Sequence, residues 1–137
     1  MRFDDTLQSH DQEEEGCVFC LNSALAILSE NELCYSIYDG YHVTKHHTLI
    51  IPKRHVSGFF DLNQLEIEGI HDLLRQAQKT ITGLDKTVTG FNIGVNSGED
   101  AGQTILHCHI HLIPRRKGDN ANPRGGVRGV IPDKQSY

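Results

Sequence analysis

The run His107-Cys108-His109-Ile110-His111-Leu112-Ile113 alternates strictly between imidazole and small or apolar side chains, which restricts the segment to an extended strand. On a strand the three histidines share one face, while Cys108, Ile110 and Leu112 share the other, which suits a core. The histidine face then meets solvent, or a metal, or lines a site where buried imidazoles are satisfied by hydrogen bonds. A three-histidine metal site meets a geometric difficulty. A strand rises about 3.3 Å per residue, so His107 and His111 stand roughly 13 Å apart at the backbone. Two neighbours could share an ion, leaving the third for another task. Imidazole is also the side chain suited to act near neutral pH as a nucleophile or a proton donor.

The chain has 137 residues, enough for one core, and its 37% apolar and 23% charged residues are those of an ordinary globular protein. Seven of its nine histidines fall in two windows, 42–55 and 107–111. A formal charge of -5 speaks against coating nucleic acid or an anionic membrane. That charge is uneven: residues 114–137 carry six basic and two acidic groups. No secretory pattern opens the chain and no apolar run approaches membrane-spanning length, so a cytoplasmic protein is expected. Its cysteines, Cys17, Cys20, Cys34 and Cys108, match a disulfide framework poorly. The Cys17-x-x-Cys20 spacing suits a zinc half-site or a redox pair.

Residues 1–15 are polar and acidic and read as a flexible arm. An Asn-Ser start followed by alanine and leucine predicts a short helix from Asn22 to Leu28, with Phe19 and Leu25 inward. Strands are expected at Leu33–Tyr38, Thr48–Ile51, Phe91–Val95 and Leu106–Ile113. Asp61 or Asn63 caps one long helix whose stripe of Leu65, Ile70, Leu73, Leu74, Ala77, Ile81 and Leu84 should pack on the core. Strands, one long helix, then strands predict an antiparallel α+β protein, and no glycine-rich phosphate loop is present.

Asn96-x-Gly98, Ala101-Gly102-Gln103-Thr104 and His107-x-His109-x-His111-Leu112-Ile113-Pro114-Arg115 together resemble the signature of the histidine triad (HIT) superfamily. Cys17-Val18-Phe19-Cys20 is similar to the family's opening, and His47-Thr48-Leu49-Ile50-Ile51-Pro52-Lys53-x-His55 to its strand-loop-strand segment. The tail Asn122-Pro123-Arg124-Gly125-Gly126-Val127-Arg128-Gly129 resembles bacterial members described as diadenosine tetraphosphate hydrolase-like. The match covers most of residues 17–118. It implies a HIT-like α+β fold, mainly an antiparallel sheet with one long and one short helix. The HIT domain would span 16–118, between the acidic arm 1–15 and a basic Gly/Pro/Arg tail, 119–137.

The resemblance implies a nucleotide hydrolase acting at the α-phosphorus, with His109 as nucleophile and His111 at the phosphate or leaving group. It makes His47 a supporting hydrogen-bond partner and Asp39 an acceptor for the ribose hydroxyls. Asn96, Gln103 and Thr104 fall at nucleotide- and phosphate-contacting positions, and Phe19 and Ile37 where the family builds an apolar slot for the base. Cys17, Cys20, His55 and His107 would hold a structural zinc, which would leave His109 and His111 to face the substrate. A dinucleoside polyphosphate such as diadenosine tetraphosphate is the expected substrate, with an adenosine phosphoramidate or nucleotidyl-amino acid as alternatives. A nucleotide-binding regulatory module and a zinc-stabilised interaction protein are the competing classes. Family members are commonly homodimers, and neither a nucleic acid polymer nor a membrane is expected as partner. Arg115, Arg116, Lys117, Arg124 and Arg128 suit a polyphosphate chain or form a solvated basic tail. His46 stands where many relatives have glycine, and with His10, His42 and His71 it is assigned to the surface.

Overall fold

The computed structural model describes residues 16–137, so the acidic arm at 1–15 lies outside the described residues. The strands are β1 (Ser29–Glu30), β2 (Cys34–Tyr38), β3 (Thr48–Pro52), β4 (Val88–Val95) and β5 (Ile110–Arg116), with one long helix, α1 (Gln64–Leu84), between β3 and β4. They form one sheet in the order β1-β2-β3-β5-β4, and every neighbouring pair is antiparallel. Helix α1 starts where the side chain of Asn63 accepts the Glu66 N–H at 2.8 Å while the Glu66 carboxylate accepts the Asn63 N–H at 2.9 Å. This reciprocal cap satisfies donors that the first helical turn would otherwise leave unpaired.

The alternation around the histidines divides the sheet as expected. On one face Cys108 and Ile110 pack with Cys34, Ile50, Val56 and the helical Ile70 and Leu73, and Leu112 packs with Ile81 and Val88. The helical stripe is buried at its middle only, for Leu65 and Leu84 lie exposed at its ends. On the opposite face Tyr35, Leu49 and Ile51 form a second apolar cluster with Phe19. The sheet is thus covered by α1 on one side and by the segment from Cys17 to Leu25 on the other.

Two expected elements differ. Residues Asn22 to Leu28 form no helix: the Asn22 side chain accepts the Ala24 N–H at 2.8 Å, making a turn, and Leu28 N–H donates to Ser36 O at 2.8 Å as the chain enters β1. Asparagine's competing local hydrogen bond wins over a short, nonperiodic alanine-leucine run. The last strand begins at Ile110 rather than Leu106 and runs on through Pro114 to Arg116. Pairing with β3 ends at Leu112, so the proline sits where strand β5 is paired on one side and its missing N–H breaks no ladder bond. Among the described residues no helix is long and apolar enough to cross a membrane.

Candidate active site and metal cluster

His107, fully buried, precedes β5 and is held by side-chain bonds instead of a strand ladder. Its Nε2 donates to the Pro52 carbonyl at 2.7 Å, which leaves the Nδ1 lone pair available. That Nδ1 lies 3.4 Å from Cys17 Sγ, 3.7 Å from Cys20 Sγ and 3.2 Å from His55 Nδ1, and Cys20 Sγ lies 3.4 Å from His55 Nδ1. For tetrahedral zinc, bonds of about 2.3 Å to sulfur and about 2.05 Å to nitrogen imply nitrogen–nitrogen edges near 3.3 Å and sulfur–nitrogen edges of about 3.6 Å. These four separations fit those edges, all four ligand atoms lie within 4.8 Å of one another, no disulfide joins the cysteines, and two thiols with two imidazoles are a donor set that zinc favours. The other two cysteines are buried in the core, and burial pushes both Cys34 and Cys108 up to about 12, as inert thiols.

The loop that carries His55 is tied to the start of α1. Arg54 donates from Nε and Nη2 to the two carboxylate oxygens of buried Glu66 at 2.9 and 2.8 Å, and Nη2 also reaches the Asp61 carbonyl at 3.1 Å. Neither residue was singled out from the sequence, although the Asn63-x-x-Glu66 capping pattern was there to read. The carboxylate that caps the helix also positions Arg54, the neighbour of His55 in the Cys/His cluster.

His109 points its Nδ1–H at the His107 carbonyl, 2.9 Å away. That donation puts the other lone pair on Nε2. The ring lies 5.0 Å from the Phe19 ring and 5.3 Å from that of His111. Phe19, between the two cysteines in the chain, thus packs its ring against the nucleophile candidate. Its carbonyl accepts the hydroxyl of fully buried Tyr35, a partner not foreseen from sequence.

A second cluster joins Asp39, His47 and His111. The Val43 N–H donates to His47 Nδ1 at 3.1 Å, so neutral His47 carries its proton on Nε2. That Nε2 lies 2.9 Å from His111 Nδ1 and 3.5 Å from Asp39 Oδ2. His111 accordingly accepts at Nδ1 and keeps its own proton on Nε2. Burial is the main cause that pushes both imidazoles below the ordinary histidine value, outweighing the opposing pull of Asp39. The same tautomer argues against a metal here, since the nitrogen of His47 that faces the cluster is an N–H donor rather than a lone pair.

The remaining sequence candidates fall into three groups. Ile37 packs beside Phe19 in the second apolar cluster. Gln103 is buried and its side chain braces the loop before the triad, donating to Ser57 O at 2.6 Å and Ile105 O at 3.0 Å and accepting from Gly98 N at 2.9 Å. Thr104 is exposed, and Asn96 lines a groove of about 700 Å³ that also touches His47 and His111. Of the basic residues, Arg115 is held by Asp119 and Asn92, and Arg116 by Asp85. Arg124 and Arg128 flank the ring of Tyr137. His42 and His71 are exposed, and His10 lies outside the described residues. His46 is half-buried and adopts φ 74°, the left-handed region where glycine is favoured.

Comparison with known proteins agrees with this geometry. The family model described as HIT domain matches residues 22–118. An uncharacterised HIT-like protein of Methanocaldococcus jannaschii is 32% identical over 124 residues, covering 86% of this chain and 94% of that one. The asymmetrical bis(5'-nucleosyl)-tetraphosphatase of Schizosaccharomyces pombe is 40% identical over 73 residues, which are 53% of this chain and 40% of the enzyme. Among solved structures, a Zn-bound histidine triad family protein from Mycobacterium smegmatis superposes with a TM-score of 0.69 at 30% identity, covering 78% of this chain and 80% of that one.

Proposed function

Because the chain belongs to the HIT domain family, we propose that it is a nucleotide hydrolase that cleaves at an α-phosphorus through a covalent nucleotidyl-histidine. The observation that carries this reading is the Nδ1–H of His109 donated to the His107 carbonyl, which leaves Nε2 as a nucleophilic lone pair beside His111. In the first step a bond forms from His109 Nε2 to the α-phosphorus, and the bond to the bridging oxygen breaks with its electron pair on the departing group. His111, protonated at Nε2, donates a hydrogen bond to oxygens that gain charge in that step. Water then attacks the same phosphorus, the electron pair of the phosphorus–nitrogen bond returns to His109, and the water's proton passes to solvent. Two easier displacements replace one difficult one.

A dinucleoside polyphosphate is the favoured substrate, supported by the similarity to the tetraphosphatase of fission yeast. In this reading Asp39 accepts from the ribose hydroxyls, and His47 supports His111 by its hydrogen bond. Asn96 and Thr104 contact the nucleotide, Phe19 and Ile37 border its base, and Gln103 acts by holding the loop.

Cys17, Cys20, His55 and His107 would hold zinc, which with four protein ligands cross-links the chain and supplies no chemistry at phosphorus. A homodimer would pair sheets through β4, whose eight residues make the longer of the two open edges.

The test is a panel of diadenosine polyphosphates, nucleoside phosphoramidates and mononucleotides, assayed with the parent and with His109→Ala. Turnover should fall on the order of 10³-fold or more in the variant. A nucleotidyl adduct should appear on the parent by intact mass after acid-free quenching. A variant as active as the parent overturns the reading.

A further inference from the structure

The hydrogen bond between His47 and His111 can run in either direction, and the two imidazoles alone do not choose. His47 can donate from Nε2 to His111 Nδ1 across 2.9 Å, or accept at that nitrogen from an Nδ1–H of His111. Only the first direction leaves the proton of neutral His111 on Nε2, where it can meet a reacting phosphate. Asp39 separates the two weakly, because its Oδ2 lies 3.5 Å from His47 Nε2 and 4.0 Å from His111 Nδ1 and so faces both nitrogens at similar range. The Val43 N–H decides, 3.1 Å from His47 Nδ1. Reversal would set two N–H groups face to face there.

Val43 does not place that amide by packing, since its side chain is 67% exposed. The placement comes from the residues that follow it. Beyond Leu112 strand β5 no longer pairs with β3, and the loop of residues 39–47 lies along that edge instead. There the Thr44 hydroxyl donates to the Pro114 carbonyl at 2.8 Å, and Arg116 Nη2 donates to the Lys45 carbonyl at 3.0 Å. Pro114 is fully buried, which keeps water from replacing the hydroxyl. Arg116 is itself set by Asp85, 3.0 Å from the same Nη2, and by Thr87 Oγ1, 3.2 Å from Nε. The loop then closes on itself, for the His47 N–H donates to the Thr44 carbonyl at 3.1 Å. Thr44 thus holds strand β5 with its side chain and His47 with its carbonyl, and it follows Val43 directly in the chain.

We propose that Thr44, with Arg116 behind it, is a positioning residue that keeps the Val43 N–H on His47 and thereby fixes the direction of the bond to His111. Its bearing on turnover rests on the hydrolase reading above; its bearing on the tautomers does not.

Histidine labelled with ¹⁵N, in substrate-free protein at about pH 8, reads those tautomers, because long-range proton–nitrogen correlations tell a protonated ring nitrogen from a bare one. In the parent His47 should be protonated at Nε2 only. Thr44→Val keeps the shape and loses the hydroxyl. Signals of His47 protonated at Nδ1 should then appear, and kcat should fall on the order of tenfold while KM stays within about twofold of the parent's. Arg116→Met should act in the same sense but more weakly, about threefold in kcat, because its contact with the Lys45 carbonyl is exposed. Thr44→Ser, which retains the hydroxyl, should restore the parental tautomer and rate. Each variant is first checked for parental circular dichroism. A parent with His47 protonated at Nδ1 overturns the proposal, as does Thr44→Val with parental tautomers, or Thr44→Ser that behaves like Thr44→Val. Parental tautomers in Arg116→Met overturn the part assigned to Arg116. A parent that turns over no nucleotide overturns the hydrolase reading, and the tautomers still decide the role of Thr44.

Discussion

His47 donates from Nε2 to His111 Nδ1 across 2.9 Å, and the direction of that bond is set by a backbone N–H, that of Val43, which occupies His47 Nδ1. One loop amide therefore decides which nitrogen of His111 carries a proton toward the site.

Removing the donor should misplace His111 without unfolding the chain. His47→Ala is expected to lower kcat on the order of 10²-fold, and His47→Gln, which keeps an N–H donor, to recover part of that loss. Steady-state kinetics on the best substrate decides it, and an alanine variant with parental kcat would remove His47 from the relay.

Acid should destabilise the fold through its buried imidazoles. His47 and His111 are held below the ordinary value of 6.5 by burial, and metal-free His107 is pushed down to about 4 by the same cause. As pH falls below 6.5 the unfolded chain takes up protons that the folded chain does not. Stability then declines with falling pH, down to the folded values. Urea midpoints measured with a chelator present, at about pH 7.5 and about pH 5.5, should be lower at the acidic value, and His111→Gln should narrow the difference. An unchanged midpoint would mean these imidazoles charge freely in the folded state.

The proposed zinc cluster should be linked to the proposed nucleophile, because the backbone carbonyl of His107 orients His109 while its ring faces Cys17 and Cys20. Cys17→Ser is expected to lose most bound zinc by elemental analysis, to melt at lower temperature and to lower kcat several-fold. Undiminished stoichiometric zinc in the purified variant would exclude Cys17 as a ligand.

Arg54→Ala leaves the buried carboxylate of Glu66 without its bidentate partner. Breaking such a pair by removing one side should cost about 3 kcal/mol in denaturant unfolding. A loss under about 0.5 kcal/mol would show that water reaches Glu66 and that the clamp contributes as little as an exposed pair.

The faces of the histidine strand were legible because period-two alternation is local: Cys108, Ile110 and Leu112 pack under α1 as their spacing requires. The middle of α1 was legible for the same reason. The helix expected at Asn22–Leu28 was misread because composition without periodicity says little, and Asn22 spends its side chain on a turn. The limits of β5 could not be read either, since they follow from where β3 stops pairing and from the hydrogen bond of His107 to Pro52. Gln103 shows the limit for single residues. Its position in the motif was plain, yet its amide serves the carbonyls of Ser57 and Ile105.

By itself the sequence determined which side chains could share a face, where the long helix starts, and which family pattern the histidines follow. Those depend on spacings of two to four residues, which backbone geometry converts directly into direction. Only the tertiary structure decided that Cys17, Cys20, His55 and His107 meet and which nitrogen of each triad imidazole bears the proton. These depend on partners up to 90 residues away in the chain, brought within hydrogen-bonding range by the packing of the core.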